Sequence, residues 1–302
     1  QKASQLNPNY ADAHVALGYV HLIQQQYEPA ESALRAALRA NPRVPAAQAH
    51  LGVVLLATRR VDEALQNLRE AAEMFPDDAY TQTHLGRALM LVNMPAFAEQ
   101  CFRNALKQKE DEPSLWLWLG QSLAASQQDA EAVEALRRCL DIAGESVEAL
   151  YAMAQIYLRQ GESNGAWNLL SRVIHLQPQA VEPRLLAAQA CRDLQRYDVA
   201  EGLLQECIED PRARKFLARL ALDQERTEQA RAHLAALSLA GENDVTSKIL
   251  QAESALQTGH WEQMEEALKP VLAADIVNPS AVLLEAQRQY FTGDVADALE
   301  TV

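Results

Sequence analysis

The chain repeats itself every thirty-four residues, and that period constrains its folding more than any other feature. Counting Ala11 as position 1, a first stretch carries His14, Leu17, Gly18 and His21, a second carries Tyr27, Ala30, Leu34 and Ala37, and Pro42 closes the unit. One period later Leu51, Gly52, Leu55, Ala64, Leu68, Ala71 and Pro76 hold the matching places. A unit this short cannot bury its apolar faces alone, so the pattern demands stacking of neighbours.

Units open at Ala11, Pro45, Ala79, Pro113, Val147, Val181, Pro211, Val245 and Pro279. The expected architecture is all-α, a single array over residues 1–302 built from antiparallel helix pairs. Leu6, Asn7 and Pro8 match the end of a unit, so residues 1–10 read as the tail of a preceding repeat, and the ninth unit stops part-way at Val302. A longer parent protein is expected. The sixth unit is four residues short, since Ala200 and Ala230 hold the same position only thirty apart, and an abbreviated loop is expected there.

Small residues recur where two helices must approach closely. Position 8 is Gly18, Gly52, Gly86, Gly120 and Ala154, and position 20 is Ala30, Ala64, Ala98, Ala132 and Ala166; the two are expected to face one another. Proline at unit starts suits the first helical turn, where a missing N–H costs nothing. Gly161, Gly259 and Gly293 share position 15, where the first helix must end in a left-handed residue.

Composition narrows the partners. A formal net charge of −14 disfavours nucleic acid and anionic membrane surface, which call for an extended face of the opposite sign. No run of eighteen apolar residues occurs, so no direct membrane insertion is expected. Cys101, Cys139, Cys191 and Cys207 form no CxxC pair, and the last three fall at positions expected to be buried, as small core residues. Phosphate-loop, dinucleotide, zinc-protease and nucleophile-elbow signatures are absent, so neither catalysis nor a cofactor is expected. His14 and His21 read as packed rings; His50 and His84 share position 6 of adjacent units but lack a third metal ligand.

With these residues in view the chain resembles the tetratricopeptide repeat family. That family carries a large residue, Leu and Gly at positions 4, 7 and 8, a bulky one at 11, then Ala, a bulky residue, Ala and Pro at 20, 24, 27 and 32. Trp116, Leu119, Gly120, Leu123, Ala132 and Leu136 fit the pattern, which loosens where Ala188, Ala218, Ala252 and Ala286 replace Gly and Met264 replaces Ala. The resemblance implies helix pairs stacked in a right-handed superhelical solenoid, whose first helices line a concave groove for peptides or partner proteins.

Positions 2, 5, 6, 9, 12 and 13 of each first helix form that groove in the family. They read Tyr19, Leu22, His50, Val53, Tyr80, His84, Arg87, Met90, Trp118, Gln121, Tyr151, Gln155 and Leu158. Aromatic and apolar groups of this kind suit a peptide-binding surface, or else pad the inside of a tight superhelix. Arg212, Lys215 and Arg219 occupy positions 2, 5 and 9 of the seventh unit, with Arg192 close in the pattern. They could hold an acidic ligand, or pair locally with Asp193, Asp223 and Glu253. The terminal-carboxylate pattern of chaperone-binding relatives is not met, because the following units offer Leu250, Ser280 and Leu284. Position 6, with Ala16, His50, His84, Trp118, Ala152 and Leu186, also lacks the Asn ladder of the Ser/Thr glycosyltransferase repeats.

The leading expectation is a non-catalytic scaffold that grips a segment of a partner protein. The alternatives are a substrate-recruiting or assembly arm of a larger enzyme or secretion complex, such as a glycosyltransferase or an exopolysaccharide-export protein, and self-association through exposed terminal repeats.

Overall fold

The computed structural model describes residues 10–274 and 278–301, so the repeat tail expected before Tyr10 lies outside the described residues. These fall into two compact units, divided between Ile156 and Tyr157. In the first unit the helices are α1 (Ala11–Ile23), α2 (Tyr27–Ala40), α3 (Pro45–Ala57), α4 (Val61–Met74), α5 (Ala79–Leu91), α6 (Pro95–Leu106), α7 (Pro113–Ala125) and α8 (Asp129–Ala143); α9 (Val147–Arg159) contains the division. The second holds α10 (Ser163–Leu176), α11 (Val181–Asp193), α12 (Tyr197–Gln205), α13 (Pro211–Asp223), α14 (Thr227–Leu239), α15 (Val245–Thr258), α16 (Trp261–Leu272), α17 (Pro279–Thr292) and α18 (Val295–Thr301). No strand occurs among the described residues, and each unit is a solenoid of stacked helical hairpins.

Every first helix stops in the same way. All nine residues at position 15 are left-handed, the glycines Gly161, Gly259 and Gly293 and also Gln25, Arg59, Asn93, Gln127, Gln195 and Glu225, whose φ lies between 57° and 65°. The next amide then reaches back five residues, as Gln26 N–H does to His21 O at 2.9 Å and His260 N–H to Ala255 O at 2.9 Å. This double-bonded cap reverses the chain in three residues and sets the hairpin.

Position 8 needs glycine for a reason other than the expected one. A Cβ built on Gly18 would lie 2.5 Å from Leu34 Cγ, and one on Gly86 2.6 Å from the Phe102 ring, so the close neighbour is the bulky residue at position 24. The carbonyl of Ala30, at position 20, comes next at 3.3 Å from Gly18. Position 20 itself is sealed, with Ala30, Ala64, Ala98, Ala132 and Ala166 all fully buried.

The deletion in the sixth unit shortens a helix and not a loop. Helix α12 has nine residues, whereas the other complete second helices have twelve to fifteen, and five residues still join it to α13. Cys207 and Ile208, on the turn after α12, pack against the buried cluster of Ala188, Ala200, Leu204 and Leu217 in place of the missing turn. Cys207 is accordingly only half-buried, contrary to expectation, while Cys101, Cys139 and Cys191 are buried. Burial pushes the Cys101 thiol up to about 11, which suppresses the reactive thiolate.

Position 4 carries a device that the repeat pattern does not announce. Gln82, Trp116, Arg184 and Arg214 each donate to the carbonyl six residues earlier, that of Pro76, Glu110, Pro178 and Ile208 respectively. Each bond ties a first helix to the loop that enters it. Arg184 is 7% exposed and also contacts Glu206 at 2.6 Å, so its charge is compensated.

Candidate functional site

Within the first unit successive first helices pack on one another, α1 on α3, α3 on α5 and α5 on α7. Side chains one period apart therefore become neighbours. The Tyr19 ring stacks on His50 at 4.8 Å, His50 meets Tyr80 edge-on at 5.1 Å, and Tyr80 meets His84 at 4.5 Å. Arg87 continues the row, 3.5 Å from His84 Nδ1 and 5.2 Å from the centre of the Trp118 ring. Six of the expected groove residues thus form one unbroken track across four helices.

Burial sets the ionisation of the track. It lowers the pKa of His50, against the opposing field of Asp78. His84 falls to about 4, through burial first and the Arg87 charge second. Tyr80 is raised, mainly by burial. Both imidazoles are neutral and the phenol protonated at neutral pH, so the track presents rings and hydrogen-bonding edges with one cation at Arg87. Tyr80 stands between His50 and His84, and no group of three His, Cys, Asp or Glu suited to a metal occurs among the described residues.

Beside Arg87 and Trp118 opens a cleft of about 350 Å³, floored by Leu56, Met90, Leu91 and Phe102 and bordered by Gln121. Leu91 is 66% exposed, which is costly for a leucine left in water. Leu56, Ala57, Leu91 and Phe102 were not singled out by the repeat reading. Phe102 had a signal, being aromatic at position 24 where Leu34, Leu68 and Leu136 stand in neighbouring units. Its ring lies 6.0 Å from Trp118 and props it up. Of the remaining expected groove residues, Tyr151 is half-buried and Gln155 exposed on α9, and neither borders the cleft.

In the second unit the four cations stand around a different cleft of about 530 Å³, lined by Leu185, Leu186, Phe216 and Leu250. Each cation already has a carboxylate. Arg192 pairs with Asp223 at 2.5 Å, Arg212 with Asp210 at 2.8 Å and Glu182 at 3.0 Å, Lys215 with Asp244 at 2.7 Å, and Arg219 with Glu253 at 2.5 Å. Glu242 stands 3.8 Å from Lys215, so six carboxylates meet four cations. Local pairing is thus realised with Asp223 and Glu253, while Asp193 instead accepts from Ser163 and Gln189. Arg212 holds the Asp210 carboxyl below its usual range, and Lys215 does the same for Asp244 against the burial that would raise it. An incoming acid would have to displace these partners.

Tetratricopeptide repeat family models match residues 15–79 and 113–156, and a third, for anaphase-promoting complex, cyclosome, subunit 3, matches residues 140–207. The chain is a tetratricopeptide repeat protein. Solved structures agree on the fold of this repeat protein. YrrB, described as a TPR protein with an unusual peptide-binding site, is 19% identical with a TM-score of 0.57, over 63% of this chain and 96% of its own. The pilF protein of Pseudomonas aeruginosa is 20% identical with a TM-score of 0.58, over 69% and 97%. A tetratricopeptide repeat protein from Parabacteroides merdae ATCC 43184 is 15% identical with a TM-score of 0.58, over 81% and 98%. No curated protein sequence matches the chain. Its repeats put this TPR protein among protein-interaction scaffolds. Among the described residues no helix is long and apolar enough to cross a membrane.

Proposed function

We propose that this TPR protein is a non-catalytic scaffold that holds a segment of a partner protein against the aromatic track of its first unit. The observation that carries the reading is the continuity of Tyr19, His50, Tyr80, His84, Arg87 and Trp118, six contacting side chains drawn from four successive first helices. Such a row has no need to exist for hairpin packing, which positions 8, 20 and 24 already accomplish. Rings with polar edges supply contact area at small entropic cost, as in peptide-binding surfaces generally. The peptide-binding site in the description of YrrB supports the same reading.

Peptides selected from a random display library on the intact chain test it. Replacing Tyr19 and Trp118 by Ala should weaken the selected peptides by about 1–3 kcal/mol per ring. Selected peptides that bind the double variant as tightly as the parent would refute the groove. Trp118 leans on the buried Phe102, so Trp118→Ala also lowers stability, and Tyr19→Ala, at a 43% exposed ring, is the cleaner measure.

A further inference from the structure

The chemistry of the bound segment can be read from the one cation of the track, an inference that rests on the groove proposed above. Arg87 is exposed, and among the described residues its polar and cation–π partners are the His84 ring and the face of Trp118, with no carboxylate in ion-pair range. Arg192, Arg212, Lys215 and Arg219 show the contrary arrangement in the second unit, every one neutralised by acids of this chain. A guanidinium lying on an indole keeps its N–H edge pointing away from the ring, pre-organised to donate to a planar anion. Beside it the cleft offers Leu56, Met90 and Leu91 over the fully buried Phe102, a lining suited to a large apolar side chain.

We infer that the partner segment carries an Asp or Glu next to a large apolar residue, the carboxylate bound by Arg87 and the apolar side chain seated between Met90, Leu91 and Trp118. The acid is internal to the segment and not its C-terminus. The track runs on from Arg87 in both directions, to His84, Tyr80, His50 and Tyr19 on one side and to Trp118 and Gln121 on the other. A chain ending at Arg87 would leave uncovered either Trp118 and Gln121 or the four rings from His84 back to Tyr19. A single cation also matches a singly charged carboxylate better than a phosphate, whose two charges call for clustered cations. The −14 net charge works against any segment acidic along its length, so the anion is one residue in an otherwise neutral or basic stretch.

Peptides selected from a random display library on the intact chain, and dependent on Trp118, are the probes. In those peptides an acidic residue should stand beside a large apolar one, away from the end. Changing the acid to its amide should weaken binding about tenfold on the parent and less than about twofold on Arg87→Gln, as expected for loss of one charge-assisted hydrogen-bonded pair. Changing the apolar neighbour to Ala should weaken binding equally on both. Arg87→Lys should restore part of the acid preference, since charge returns without the planar fork. Trp118-dependent peptides with no acid preference, or an acid whose removal costs the same on Arg87→Gln, overturn the inference and leave the groove standing. Loss of binding on amidation of the peptide's C-terminus, or a clear gain from phosphoserine in place of the acid, overturns it equally. If no selected peptide depends on Trp118, the groove itself fails and this inference with it.

Discussion

Nδ1 of His50 lies 3.2 Å from the phenol oxygen of Tyr80, a residue thirty positions later in the chain and on the next first helix. Neither residue sits at a position that closes a hairpin, so the contact belongs to the surface that the stacked first helices share. The same surface gives the first unit an acid-sensitive group of its own. His84 titrates at about 4 when folded, because burial and then Arg87 disfavour its charged form, and near its ordinary value when unfolded. Between about pH 6.5 and 4 the unfolded chain therefore binds the extra proton, and stability falls as pH falls through that window. A fall from 6.5 to about 4 corresponds to at most about 3 kcal/mol from this group. Urea unfolding of the parent and of His84→Phe, which keeps the ring without the titration, should show a smaller acid-induced loss in the variant. Equal losses would mean that carboxylates such as Glu63, held low by Arg60, account for all of it.

Gly86→Ala should destabilise the first unit by about 1–2 kcal/mol. The new methyl meets the Phe102 ring at 2.6 Å, and that ring is fully buried and in contact with Trp118, so it has little room to turn. Overpacking of this sort costs about 1–3 kcal/mol, from which the better helix propensity of Ala recovers at most about 1. Ala188, at the same position of the sixth unit, is fully buried, and Ala188→Gly should also destabilise, by about 1 kcal/mol. Thermal or urea unfolding in which both changes prove neutral would show that position 8 tolerates either residue.

Glu225 holds φ at 57° in the cap where Gly259 holds 70°, so the two positions can be tested in opposite directions. Glu225→Gly relieves a left-handed side chain and should stabilise by about 0.5–1 kcal/mol, whereas Gly259→Ala should cost about 1 kcal/mol. Unfolding midpoints moving the same way in both variants would contradict the shared cap.

How much of this could be read beforehand depended on whether the signal lay within one period or between periods. The helix starts at Ala11, Pro45, Ala79 and Pro113 were legible because apolar spacing and proline mark them locally. The caps at Gly161, Gly259 and Gly293 were legible too, but those at Gln25 and Glu225 were not, since tertiary packing forces a left-handed conformation on residues that would not choose it. The track from Tyr19 to Trp118 was visible as a column of positions, yet its one cation could not be told from the others by sequence. Free or neutralised was decided by acids about one period away, such as Glu253 for Arg219, and by Asp244 in a loop that the column of groove positions omits. The shortened α12 misled for a related reason, because a deletion reports missing residues without saying which element gives them up.

Arg219 supplies the test that separates the two clefts. Its guanidinium pairs with Glu253 on the following first helix at 2.5 Å, and both side chains are largely shielded, at 32% and 23% exposure. Charge reversal by Arg219→Glu would set two carboxylates face to face there, costing the second unit about 1–3 kcal/mol, and the swap Arg219→Glu with Glu253→Arg should recover most of it. Peptides that depend on Trp118 should bind Arg219→Glu as they bind the parent, because their cation is Arg87. Calorimetric unfolding together with peptide titration on the same preparations reads both halves. Lost peptide binding with unchanged stability would make Arg219 a ligand contact and would move the acid-binding role back to the second unit.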